Sequence, residues 1–271
     1  MRLAGGVAVV TGAGSGIGRA LAMRIARERA AGIVVADLDG GSARAVAASI
    51  GPTALAVQCD VTSEEDLRAL LARAETELGP VDAFFANAGV AIGADEQTPE
   101  AVWDRAFAVN VRSHVTAARL LIPRWLDRGR GCFVVTASAA GLLTQIGIAP
   151  YAVTKHAAVA FAEWLSVTYG DRGIQVACLC PMGVDTPMLR GDSGGDVMDH
   201  AAAESVRRAG EVLTPEEVAD AAIAGIEGGS FLILPHAEVI EFFRRKASDY
   251  DRWLAGMRRL RTAVEPPEPR R

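Results

Sequence analysis

The chain has 271 residues, half of them hydrophobic, and a formal net charge of -5. A chain of this length buries roughly three quarters of the surface that its unfolded form exposes. Acids and bases are interspersed, so there is no basic stripe for nucleic acid, and Arg2 runs straight into an apolar strand with no export cleavage site; a cytoplasmic protein is expected.

Val7-Ala8-Val9-Val10-Thr11 is a short apolar run with the β-branched character of a buried parallel strand. It leads into Gly12-Ala13-Gly14-Ser15-Gly16-Ile17-Gly18, and residues 19–30 then read as a helix with an apolar side. Strand, glycine turn and helix are the context of a dinucleotide-binding fingerprint. Small residues let backbone approach a pyrophosphate, and the helix N-terminus offers free N–H groups and partial positive charge. Gly12, Ser15, Gly16, Ile17 and Gly18 are therefore candidate cofactor contacts. Their spacing is G-x-x-x-G-x-G rather than the commoner G-x-G-x-x-G.

Asp37 ends the next apolar run, Ile33-Val34-Val35-Ala36, nineteen residues after Gly18. An acid at about that distance is expected to bond the ribose hydroxyls. Its charge would repel a 2′-phosphate, Leu38 stands where a phosphate-binding arginine would otherwise sit, and Asp39 adds negative charge. NAD is expected over NADP, with Arg19 as the one residue able to swing the other way.

Further apolar runs end at Asp60, Asn87, Ser138 and Pro181. Ligands of open α/β sheets bind outside the C-terminal ends of the strands, so these positions gather on one sheet edge. Asn110 lies inside a helix expected over 99–128, where asparagine is mildly unfavourable; a role in binding backbone or water follows. The uncharged stretch 131–154 is long enough to cross a bilayer, but Gly141, Gly147 and Pro150 interrupt it, and a strand followed by a loop explains it better. Tyr151 and Lys155, four residues apart on a helix, share one face. A free phenol ionises near pH 10, and a neighbouring cation favours its ionised form. Ser138, facing the same spot, would hold a substrate oxygen while the proton moves.

Cys59, Cys132, Cys178 and Cys180 fall in or at the ends of buried strands and lack zinc spacing. The four histidines are scattered, and no metal is expected. Residues 186–212 read as a lid over the substrate. Thr214-Pro215-Glu216-Glu217 is a capping box with proline at the first helical position. A last strand is expected at 231–234, then one charged amphipathic helix over 237–260 packing on the domain or on another subunit. The alternation of strands and helices argues one doubly wound Rossmann domain over 1–262, with helices on both faces of a seven-stranded parallel sheet. Residues 263–271 are expected to be a disordered tail.

These motifs resemble, in order, those of the short-chain dehydrogenase/reductase family, over about residues 6–235. The resemblance implies that Thr11 to Gly18 form the cofactor loop and that Asp60, with Val61 beside it, contacts adenine. Asn87-Ala88-Gly89 steadies the sheet and lines the cofactor site. Asn110, Ser138, Tyr151 and Lys155 are the catalytic set, and Pro181, Val184 and Thr186 belong to the segment clasping the nicotinamide. Met182 departs from the family, which usually has glycine after the proline. The implied reaction is NAD(H)-dependent interconversion of a secondary alcohol and a ketone. Tyr151 is the base, Lys155 holds the nicotinamide ribose and lowers the phenol's pKa, and Asn110 helps hold a water on the proton path. Ser138, Gln145 and Tyr151 are the expected substrate contacts. Leu142, Leu143, Ile146, Ile148, Met182, Met188 and Leu189 suggest an apolar pocket. A homotetramer or dimer is implied. Alternatives are an NADP(H)-dependent ketoreductase, dehydratase or epimerase chemistry on the same fold, and a sensor that binds NAD(H) without turnover. The sensor would be marked by loss of Ser138, Tyr151 or Lys155, and none is lost.

Overall fold

The computed structural model describes residues 3–191 and 200–264. The chain alternates β1 (Val7–Thr11), α1 (Gly16–Arg27), β2 (Gly32–Asp37), α2 (Gly40–Ile50), β3 (Ala54–Gln58), α3 (Glu64–Glu77) and β4 (Val81–Ala86). It continues through α4 (Glu100–Phe107), a π-helical turn (Ala108–Arg112), α5 (Ser113–Arg128), β5 (Gly131–Thr136), α6 (Ala140–Leu143), α7 (Ala149–Tyr169) and β6 (Ile174–Leu179). Then come β7 (Gly183–Val184), α8 (Pro187–Arg190), α9 (His200–Ala209), β8 (Val212–Leu213), α10 (Pro215–Glu227), β9 (Leu232–Ile233), α11 (Glu238–Ser248) and α12 (Tyr250–Val264).

Seven strands form one parallel sheet in the order β3-β2-β1-β4-β5-β6-β9. Alternation along β1 shows why its run is apolar throughout. Val7 and Val9 face the core built with α3, α5 and α7, while Ala8 and Val10 face the core built with α1, α2 and α10. A strand covered on both sides has no polar face to present. The order of the strands reverses between β1 and β4, so the crevice outside their C-terminal ends is the topological switch point where such sheets bind ligands. The stretch 131–154 is strand, short helix and the start of α7. No helix among the described residues is long and apolar enough to cross a membrane.

Three expectations change. The helix expected over 99–128 is not continuous, because a π-helical turn centred on Asn110 separates α4 from α5. Asn110 is fully buried, and its amide pins loop backbone to a neighbouring helix; such widened turns occur mostly at functional sites. The charged segment 237–260 is two helices, broken where Asp249 is extended (φ -152°, ψ 91°) and its carboxylate accepts from Arg252 N at 2.9 Å. Finally, α12 runs through Val264, two residues past the expected boundary, because Val264 is buried against Ile146 and Ala201. Of the expected lid, 192–199 lies outside the described residues, as does 265–271 of the expected tail. The lid's described flanks are tied together by parallel pairing of β7 with β8.

Candidate active site

A cavity of about 880 Å³ opens along the C-terminal edge of the sheet. All the predicted cofactor and substrate contacts line it: Gly12, Ser15, Gly16, Ile17, Gly18, Asp37, Leu38, Asp60, Val61, Asn87, Ala88, Gly89, Ser138, Gln145, Tyr151, Lys155, Pro181, Val184 and Thr186. Asn110 does not, and stands behind the wall.

The glycine turn is shaped by close approach. Gly12 has φ 63°, and a Cβ there would lie 2.9 Å from Ala88 Cα. A Cβ on Gly18 would collide with the Gly12 carbonyl oxygen. Asn87 holds the turn from the other side, its Nδ2 donating to Thr11 O at 2.9 Å. Helix α1 starts at Gly16, earlier than expected, and the Ser15 side chain makes no capping bond. The first-turn N–H groups therefore remain available to an anion.

Asp37 is fixed by backbone, accepting from Gly14 N at 2.8 Å and from Asp39 N at 3.0 Å. Asp60 accepts from Thr62 N at 2.9 Å. Arg19 is exposed and does not line the cavity. The glycine turn, the uncapped helix end and these carboxylates fit a dinucleotide.

Toward the other end, Ser138, Tyr151 and Lys155 converge. Ser138 Oγ accepts from Ala140 N at 3.1 Å and donates a long bond to Pro181 O at 3.4 Å. Lys155 Nζ lies 5.6 Å from the Tyr151 ring centroid. Its hydrogen bond goes to Thr136 O at 2.9 Å. Burial pushes the Lys155 pKa down to about 8, which leaves it mostly charged at neutrality.

The expectation that Lys155 brings the phenol down is corrected for the protein alone. The Tyr151 pKa is raised by burial, against a smaller lowering by the facing Ser138 hydroxyl. Desolvation is the largest influence on the phenol, and the hydrogen bond of the amine goes to the Thr136 carbonyl.

Asn110 Oδ1 accepts from Val90 N at 2.9 Å, and its Nδ2 donates to Val90 O at 2.9 Å and to Thr154 Oγ1 at 3.0 Å. Of the two roles read from the sequence, its side chain performs backbone binding. One turn on, His114 is buried with neither ring nitrogen partnered among the described residues. Burial, helped by the Lys155 charge, pushes its pKa down to about 3, so it is neutral. Leu142 and Ile148, expected in the pocket, are core residues instead. Leu143, Ile146, Met182, Met188 and Leu189 do line the cavity. The Gln145 amide nitrogen is engaged by α9, donating to Ser205 Oγ at 3.1 Å.

Two features were not read from the sequence as parts of the site. His236, just after β9, is buried and clasps the Pro181 loop: Nδ1 accepts from Met182 N at 3.1 Å and Nε2 donates to Gly183 O at 2.9 Å. That pair of bonds defines a neutral ring protonated on Nε2. His236→Ala should raise the KM for the dinucleotide about tenfold and lower stability by about 2 kcal/mol, since two buried backbone groups lose their partners. His236→Gln, with an acceptor and a donor on one amide, should recover part of both. Steady-state kinetics and thermal unfolding check this; an unmoved KM in His236→Ala would detach the clasp from the site. The second feature is the C-terminal pair α11 and α12, which packs on its own domain and walls the cavity with Phe242, Trp253, Met257 and Leu260.

Fold and site together define a dinucleotide-binding oxidoreductase. A family model described as short chain dehydrogenase matches residues 6–194, and the chain belongs to that family. It is 40% identical over 208 residues to the 1-deoxy-11-beta-hydroxypentalenate dehydrogenase of Streptomyces exfoliatus, covering 72% of this chain and 75% of that one. A short chain dehydrogenase/reductase from Burkholderia phymatum, solved in complex with NAD, superposes with TM-score 0.83 at 28% identity, over 100% of this chain and 99% of that one. A 7 alpha-hydroxysteroid dehydrogenase complexed with NADH and 7-oxo glycochenodeoxycholic acid gives TM-score 0.76 at 29% identity, over 86% and 93% of the two chains. The protein is an enzyme acting on alcohol groups of small molecules.

Proposed function

We propose that the enzyme interconverts an apolar, cyclic secondary alcohol and its ketone with NAD(H), Tyr151 serving as general base in oxidation and general acid in reduction. The observation that carries this reading is the convergence of Ser138, Tyr151 and Lys155 on the cavity that the glycine turn and Asp37 also line. A nicotinamide dinucleotide held by the glycine turn, Asp37 and Lys155 would supply the hydride acceptor for oxidation and the hydride donor for reduction. In oxidation Tyr151 removes the hydroxyl proton as the carbon gives up hydride; in reduction it returns that proton to the ketone oxygen. Ser138 orients the substrate oxygen by exchanging its long bond to Pro181 O for one to substrate. Lys155 is held on Thr136 O, and its remaining N–H groups would hold the nicotinamide ribose. Asn110 is a positioning residue, linking Val90 to Thr154 on α7, one residue before Lys155. The apolar lining supports the substrate class, as do the hydroxypentalenate and hydroxysteroid named for two relatives.

NAD preference is supported by Asp37 and by the absence of any arginine or lysine beside it on the cavity wall among the described residues. Comparing kcat/KM with NAD and NADP over a panel of cyclic secondary alcohols tests both claims. A preference for NAD of the order of a hundredfold is expected, because juxtaposed like charges cost several kcal/mol. Preference for NADP would overturn the role of Asp37, and no turnover of any alcohol would overturn the reaction. The protein is further proposed to be a homo-oligomer. Val115 on α5 and Val153, Trp164 and Val167 on α7 are exposed, leaving apolar surface on the two helices that flank the site.

A further inference from the structure

We infer that the C-terminal helices build an anion-recognising subsite, so that the substrate carries a carboxylate or similar oxyanion on the part of its apolar body remote from the reacting carbon. This rests on the alcohol-oxidoreductase reading above and narrows its substrate class. The only carboxylates on the cavity wall among the described residues are Asp37 and Asp60, at the ends of β2 and β3, whereas its cations are Arg105 on α4, Lys155 on α7, Arg208 on α9 and Arg245 on α11. That local cationic bias occurs in a chain whose net charge is -5.

Arg245 is the central residue. Its neighbour Arg244 pairs with Glu241, and Arg208 Nε bonds Glu204 Oε1 at 2.8 Å. Arg245 has no carboxylate partner among the described residues. Its guanidinium rests on the Phe242 ring, Cζ 6.0 Å from the centroid. A guanidinium on an aromatic face keeps its planar fork of N–H donors free to meet an oxyanion bidentately. Phe242, Trp253, Met257 and Leu260 make that part of the cavity wall apolar, while the Arg245 side chain itself is exposed and open to an incoming anion.

The position is anchored. The next residue, Lys246, is buried and donates to Leu142 O at 2.7 Å, tying α11 to the short helix that follows Ser138. The backbone that carries Arg245 is thereby fixed to the wall that follows Ser138. Both helices lie outside the residues matched by the family model, 6–194, as suits a device that selects this enzyme's own substrate.

The test is calorimetric titration of the enzyme–NADH complex with octanoate and with octanamide, which share an alkyl chain and differ in charge. At low ionic strength octanoate should bind about tenfold more tightly, as befits a charge-assisted hydrogen-bonded pair, and added salt should shrink the ratio. Arg245→Ala should bring the ratio to about one, and Arg245→Glu should invert it. Equal affinities in the parent enzyme, a ratio unchanged by Arg245→Ala, or no binding of either probe at millimolar concentration would each overturn the subsite. The fate of the reaction itself is read separately, from turnover of uncharged alcohols. Turnover with a ratio of one removes only the subsite. An Arg245-dependent ratio without turnover of any alcohol removes only the reaction.

Discussion

Tyr151→Phe should fold and bind NADH like the parent enzyme and lose about three orders of magnitude in turnover, within the range that a positioned acid–base group supplies. The substitution removes one oxygen and keeps the ring. That ring is buried with Ala91, Ala140, Ile148 and Ala202, contacts that phenylalanine preserves. What disappears is the only phenol on the cavity wall among the described residues. Because burial raises the Tyr151 pKa in the free protein, the ionised base is scarce at neutrality. Oxidation should accordingly accelerate as pH rises, and reduction, which needs the protonated phenol, should not. Thermal unfolding, NADH affinity and steady-state rates in both directions check this. Near-native turnover by Tyr151→Phe would remove the tyrosine from the mechanism.

Lys155→Met should abolish most activity and yet stabilise the protein without its cofactor. The amine is buried, and its pKa falls from 10.5 to about 8 because burial disfavours the charged form. Below pH 8 it is protonated in both folded and unfolded chains, and the folded state bears the full cost of burying the charge, roughly 3 kcal/mol. Between pH 8 and 10.5 the unfolded chain binds more protons, so stability rises with pH through that window. Methionine removes the charge but leaves the Thr136 carbonyl unpaired, which costs about 1–2 kcal/mol. The net gain at neutrality is therefore about 1–2 kcal/mol, and the contribution of Lys155 to the alkaline rise disappears. Denaturant unfolding across that pH window measures both. A variant less stable than the parent at neutral pH, with an unaltered pH slope, would show that the buried ammonium carries no such cost. Retention of so costly a group is intelligible if the cationic amine serves the reaction.

Much of the candidate site was legible because its signals are local. Gly12, Gly16 and Gly18 make a turn whose demands fall on those residues themselves. Asp37, Asp60, Asn87, Ser138 and Pro181 each follow an apolar run, so reading the strand ends located them on one edge of the sheet. Tyr151 and Lys155 share a helix face by spacing alone. Gln145 and Asn110 show where this kind of reading stops. Both were named, but the Gln145 amide nitrogen is engaged by α9, and Asn110 stands behind the cavity wall in a π-helical turn.

The chain's own residues determined the strands, the glycine turn, the capping box at Thr214 and the Tyr151–Lys155 face, since each depends on neighbours within a few positions. Tertiary structure alone decided which state the phenol adopts, because burial is a property of everything packed around it and not of the amine four residues away. It also decided the clasp between His236 and Met182, 54 residues apart in sequence, and the packing of Val264 against Ile146 and Ala201 that seats α12. No periodicity encodes such contacts; they exist only once distant segments have been brought to the same place.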